Sequence, residues 1–135
     1  MKIGVVIVTH YRLGEEFLQA LRLIVPEVPD FRAVSIDPSQ AVEEMRGLIA
    51  EAIKLASRED GVLVLTDMFG GTPSNISLSF IEEQHVEVVT GLNLPMLIKL
   101  ATLTEEKSLA ELATFIKSYG QRNISVASEI LPEEQ

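Results

Sequence analysis

Three short stretches of this 135-residue chain carry residues able to run a group transfer. The first is Thr9-His10, which directly follows the apolar run Ile3-Gly-Val-Val-Ile-Val8. A neutral imidazole is a nucleophile near pH 7 without a large shift of its pKa. The second is Thr66-Asp67, which follows the apolar run Val62-Leu-Val-Leu65 in the same way. A carboxylate that accepts the N–H of one imidazole nitrogen leaves the other nitrogen with an outward lone pair. It also offsets the positive charge the ring gains on phosphorylation. The third is Gly70-Gly71-Thr72-Pro73-Ser74-Asn75. Paired glycines let a backbone come close to a ligand, and the start of a helix presents N–H groups to an anion. Gly70, Gly71, Thr72 and Ser74 are therefore the candidate phosphate-binding residues, and His10 and Asp67 the candidate catalytic pair. The turn lacks the lysine and spacing of a Walker loop and is not a GxGxxG fingerprint, so a whole nucleotide is unsupported. Nucleophile, orienting carboxylate and phosphate seat together read as a transient phosphohistidine.

That chemistry works only if the elements bring the stretches together. Short β-branched runs alternate with longer amphipathic ones along the chain. Ile3–Val8, Phe31–Ile36, Val62–Leu65 and Val86–Val89 read as strands, and the most continuous of them as buried on both faces. Phe17, Ala20, Leu21 and Ile24 form one stripe of a helix, stopped by Pro26 and Pro29. Asp37-Pro38-Ser39-Gln40 reads as a helix start capped by Asp37, with Ala41 to Ala56 supplying the apolar face. Thr72 reads as the cap of the next helix, with Pro73 at its first position. Pro95 opens an apolar helix to about Leu103. Ser108-x-x-Glu111 has the form of a capping box, and Gly120 is expected to end that last helix. Asn123–Ala127 is expected to add a fifth strand. This alternation predicts an α/β fold, a doubly wound, mainly parallel sheet with helices on both faces. In such sheets ligands gather beyond the C-terminal strand ends, where the strand order reverses. His10 and Asp67 meet there if the first and third strands are neighbours.

Composition removes whole classes. The chain has eleven Lys and Arg against twenty Asp and Glu, a formal charge of −9, which argues against nucleic acid or an anionic membrane as partner. Sixteen of the acids are glutamates, and only Asp30, Asp37, Asp60 and Asp67 are aspartates. With no cysteine there is no disulfide, thiolate zinc site or thiol nucleophile. Two histidines, without HxH or HxxxH spacing, do not make a histidine metal site. The start is too short for a signal-peptide core, and Val86–Leu103 is interrupted by Gly91, Asn93, Pro95 and Lys99. A cytoplasmic protein without membrane insertion is expected. Residues 1–128 read as one domain and 129–135 as a solvated acidic tail.

Thr9-His10, Asp67-Met-Phe-Gly-Gly-Thr-Pro73 and Gly91-Leu-Asn-Leu-Pro-Met96 resemble, in order and spacing, the enzyme IIA domain of the mannose/sorbose class of the bacterial phosphotransferase system. The resemblance covers nearly the whole chain. It implies that His10 takes a phosphoryl group from phospho-HPr and passes it to an enzyme IIB component. It also implies that Asp67 hydrogen-bonds the imidazole and that the Gly-Gly-Thr-Pro turn surrounds the phosphoryl group. The strand order implied is 2-1-3-4, with a C-terminal antiparallel strand exchanged in a homodimer; no metal, nucleotide or other cofactor is required. One departure is Tyr11-Arg12, where the family often has glycine after the histidine. The ring is expected to line the rim of the site, and Arg12 is within sequence reach of a bound phosphoryl group.

The outputs that fit are phosphoryl relay for sugar uptake, a regulatory sensor whose phosphorylation state is uncoupled from transport, and donation to a dihydroxyacetone kinase. A separate enzyme IIB protein is expected, because the sequence ends after the IIA portion. A response-regulator receiver shares the sheet and the aspartate after strand three, but it needs an acidic pair after strand one. Thr9-His10 stands in that place.

Overall fold

Strands built of uninterrupted Val, Ile and Leu must be covered on both faces, and the sheet of this chain is. The computed structural model describes residues 2–82 and 85–132. It contains strands β1 (Gly4–His10), β2 (Arg32–Ile36), β3 (Val62–Thr66) and β4 (Val86–Thr90). The helices are α1 (Leu13–Ile24), α2 (Val42–Ala56), α3 (Thr72–Leu78), α4 (Leu94–Thr102), α5 (Leu109–Arg122) and α6 (Ala127–Ile130). All strand pairs are parallel, in the order β2-β1-β3-β4. β1 and β3 are therefore neighbours, with Val8 opposite Thr66, and their C-terminal ends lie side by side.

Alternation along the strands divides the core in two. Val5, Ile7, Leu63 and Leu65 face α1, α4 and α5, packing on Leu18, Leu21, Leu97, Leu112 and Ile116. Val6, Val8, Val62 and Val64 point the other way, onto Met45, Ile49, Ile53 and Phe80. Each residue named here is almost fully buried, and each face of the sheet is sealed by its own helices.

Helix ends are where expectation and structure part. Asp37 does not cap α2, which begins at Val42. Its carboxylate instead accepts from the N–H and hydroxyl of Ser39, and Gln40 accepts from the Asp37 N–H, closing a separate turn. Aspartate favours such a turn as readily as a helix cap. The two bonds from Ser39 hold the Asp37 carboxyl below its ordinary pKa. Thr72 is the first residue of α3, and Gly71 occupies the cap position. α4 is capped by Asn93, whose Oδ1 accepts from the Met96 N–H at 3.2 Å and whose Nδ2 donates to the Gly120 carbonyl at 3.0 Å. The Ser108–Glu111 capping box forms as read, and the Ser108 bonds hold the Glu111 carboxyl below its ordinary pKa. Gly120 does not end α5, which continues to Arg122. A Cβ there would lie 2.6 Å from Met96 Sδ, so its role is close contact between helices.

The expected fifth strand is not present in the single chain. Residues 124–126 are irregular and exposed, and the backbone then enters α6. Of the expected acidic tail, residues 133–135 lie outside the described residues.

Candidate functional site

His10 is the last residue of β1, and Asp67 follows the last residue of β3. Because those strands are neighbours, 57 positions of sequence separation become direct contact. His10 Nδ1 lies 2.9 Å from Asp67 Oδ2. A carboxylate can only accept, so Nδ1 is the donor, and in the neutral ring the lone pair lies on Nε2. The carboxylate is itself fixed: Oδ2 also accepts the His10 backbone N–H at 3.0 Å, and Oδ1 accepts the Met68 N–H at 3.1 Å. The Asp67 side chain is 11% exposed and that of His10 48%. The arrangement is a sheltered anion holding an accessible ring by one nitrogen.

The edge of the ring opposite Asp67 meets the glycine turn. A Cβ on Gly71 would lie 2.6 Å from His10 Cε1 and 2.9 Å from Nε2, so only glycine lets the backbone pass this close. Gly70 precedes it at φ +90°, in the left-handed region. The four candidate phosphate-binding residues divide by what their polar groups already do. The Gly70 N–H donates to Ser74 Oγ at 3.0 Å, and that hydroxyl donates to the Gly71 carbonyl at 3.1 Å. Ser74 is fully buried, whereas Thr72 is exposed. Gly71 thus borders His10, while Ser74 sits behind the turn and holds it. A hydroxyl at the third position of a helix whose cap residue has no side chain is the signal that would have suggested this.

The turn between β1 and α1 has its own lock. Buried Thr9 accepts the Gly14 N–H on Oγ1 at 2.7 Å, and the Tyr11 N–H donates to the Ile36 carbonyl at 2.7 Å. Tyr11 is at φ +48°, a left-handed conformation that costs an L-residue about 1–2 kcal/mol. That φ explains why glycine suits this position. Tyr11→Gly is expected to be more stable than Tyr11→Ala by about 1 kcal/mol in urea unfolding, since both remove the same ring. Equal midpoints would contradict the left-handed turn. Arg12 points along its own helix, 3.9 Å from Glu15 and 4.0 Å from Glu16. Tyr11, Leu13, Met68 and Phe69 are exposed apolar side chains close in sequence to the two reactive residues, with Tyr11 63% and Phe69 69% exposed. His85 is exposed and remote from the pair, beside Gly61 near the N-terminal strand ends.

Among the described residues, no group of three or more His, Asp or Glu gathers to hold a metal, and no helix is long and apolar enough to cross a membrane. What the geometry can do is present a nucleophilic nitrogen, compensate charge on the ring and allow close approach past glycine.

Comparison with known proteins identifies the family of the chain. The family model for the PTS system fructose IIA component matches residues 4–117. The chain is 32% identical over 130 residues to the PTS system fructose-specific EIIA component of Bacillus subtilis, covering 96% of this chain and 89% of that one. It is 28% identical to the PTS system sorbose-specific EIIA component of Lacticaseibacillus casei over 113 residues, covering 83% and 81%. The mannose/sorbose specific IIA subunit of the phosphotransferase system from Enterococcus faecalis superposes with a TM-score of 0.88 at 31% identity, over the whole of both chains. With fold, strand order and the family match in agreement, the chain belongs to the mannose–fructose–sorbose family of phosphotransferase-system enzyme IIA components.

Proposed function

We propose that this chain is a phosphohistidine relay protein, accepting a phosphoryl group from phospho-HPr on His10 and passing it to an enzyme IIB component for sugar uptake. The observation that carries this reading is the His10–Asp67 pair, with Nδ1 held at 2.9 Å and Nε2 left free on a half-exposed ring. In the first step Nε2 forms a bond to phosphorus as the bond from phosphorus to the donor imidazole breaks. The electron pair of the broken bond returns to the donor nitrogen. The proton on Nδ1 stays in its hydrogen bond, and the Asp67 carboxylate offsets the charge on the ring. Transfer to enzyme IIB reverses these roles with a new acceptor. Gly71 and the backbone at Thr72 border the phosphoryl group, and in-line approach of donor and acceptor provides most of the rate.

The same reading makes residues 1–128 the working domain, with 129–135 as a tail, acting in the cytoplasm as a homodimer. Exchange of the segment 123–127 between two copies is supported by its exposed Ile124 and Val126 and by the position of β4 at the end of the sheet. Incubation with phosphoenolpyruvate, enzyme I and HPr is expected to give an acid-labile, alkali-stable adduct on the wild-type chain and none on His10→Ala. An adduct that survives in His10→Ala, or none on the wild type with its cognate carrier, would overturn the proposal.

A further inference from the structure

We infer that Ser74 is a positioning residue for His10, acting through the glycine turn and not by touching the phosphoryl group. The inference rests on the relay reading and adds a residue to its machinery. Paired glycines are the most flexible backbone available, and Gly70 is exposed, so this turn needs a tether to hold one course. Ser74 supplies it from a rigid place, buried in α3 directly after Pro73. Its hydroxyl accepts from the Gly70 N–H at 3.0 Å and donates to the Gly71 carbonyl at 3.1 Å, spanning both glycines. The Gly71 carbonyl also accepts the Asn75 N–H at 2.9 Å, so Gly71 is drawn toward the helix from one side. Its other side is the wall behind His10 Cε1 and Nε2. The chain of contact therefore runs from Ser74 to Gly71 to the reactive edge of the ring. Ser74 itself has no exposed surface, which excludes a direct part in binding.

In Ser74→Ala, water can take over the N–H of exposed Gly70, so the loss falls on the order of the turn more than on folding. Ser77 is the matched control. It is equally buried on α3, and its hydroxyl donates to the Pro73 carbonyl at 2.6 Å without touching the turn. The experiment measures phosphorylation of the full chain by phospho-HPr, together with the imidazole NMR signals of His10 in the unphosphorylated protein. Ser74→Ala is expected to slow phosphorylation by about 10- to 100-fold, the scale of a reacting group displaced by about 1 Å, and to shift or broaden the His10 ring signals. Ser77→Ala is expected to leave both near wild type. Wild-type behaviour of Ser74→Ala, or equal effects in the two variants, would overturn the inference. Amide exchange on the wild-type chain tests the tether without a variant: the Gly70 N–H should be protected although its residue is exposed, and exchange at the unfolded rate would also overturn it. Because the ring signals and amide exchange need no phosphoryl donor, failure of the tether is distinguishable from failure of the relay.

Discussion

Asp67→Asn is expected to slow phosphoryl arrival at His10 by roughly 100-fold or more while leaving the fold intact. The asparagine can keep an oxygen where Oδ2 accepts both the His10 backbone N–H and the ring, so the imidazole keeps its place. What it cannot keep is the negative charge beside a ring that becomes positive as the phosphoryl group binds. Its amide then faces the Met68 N–H, donor against donor, where the carboxylate had accepted. If the side chain turns over to relieve that conflict, an N–H points at Nδ1 and drives the proton to Nε2, removing the nucleophilic lone pair. Both outcomes slow transfer. Quenched-flow phosphorylation by phospho-HPr, with circular dichroism to verify folding, measures the effect. A rate within about threefold of wild type would remove the role assigned to Asp67.

Gly71→Ala is expected to have a comparable effect for a different reason. The backbone at Gly71 is extended, with φ −89° and ψ 170°, which any residue adopts without strain. The cost is therefore the methyl group alone, placed 2.6 Å from His10 Cε1 and 2.9 Å from Nε2. Either the turn retreats, or the ring swings and weakens its 2.9 Å bond to Asp67, or the methyl stands in the path to Nε2. A phosphorylation rate lower by roughly 100-fold, with unfolding stability changed by about 1 kcal/mol or less, separates this steric block from general damage. Full activity in Gly71→Ala would mean the ring does not rest against the turn.

Much of this was legible in the sequence because burial and chemistry leave one-dimensional marks. A strand covered on both faces must be an unbroken apolar run, so a histidine or aspartate at its end stands out. The runs before His10 and Asp67 became β1 and β3. Their adjacency leaves no such mark: periodicity is blind to strand order, which only the family resemblance implies, and the pairing of Val8 with Thr66 makes them neighbours. Helix starts are ambiguous in sequence where one residue type serves two local structures. Asp37 closes a turn with Ser39, and Gly71 holds the cap position expected for Thr72. Gly120 looked like a stop because glycine ends helices, yet it is needed for contact with Met96. The presence of a serine in the turn does not reveal which way its hydroxyl faces, and the Ser74 hydroxyl is turned onto Gly70 and Gly71. The left-handed φ of Tyr11 was unreadable, since the chain places there a residue that does not favour it.

In the proposed relay Asp67 keeps Nδ1 protonated and leaves Nε2 to carry the phosphoryl group. Phosphorylating the full chain, labelled with ¹⁵N in its histidines, and recording coupled ¹⁵N and ³¹P spectra tests it most directly. The expected result is a single phosphohistidine at His10 with phosphorus on Nε2. Phosphorus on Nδ1, on another residue, or on no residue after exposure to phospho-HPr would contradict it.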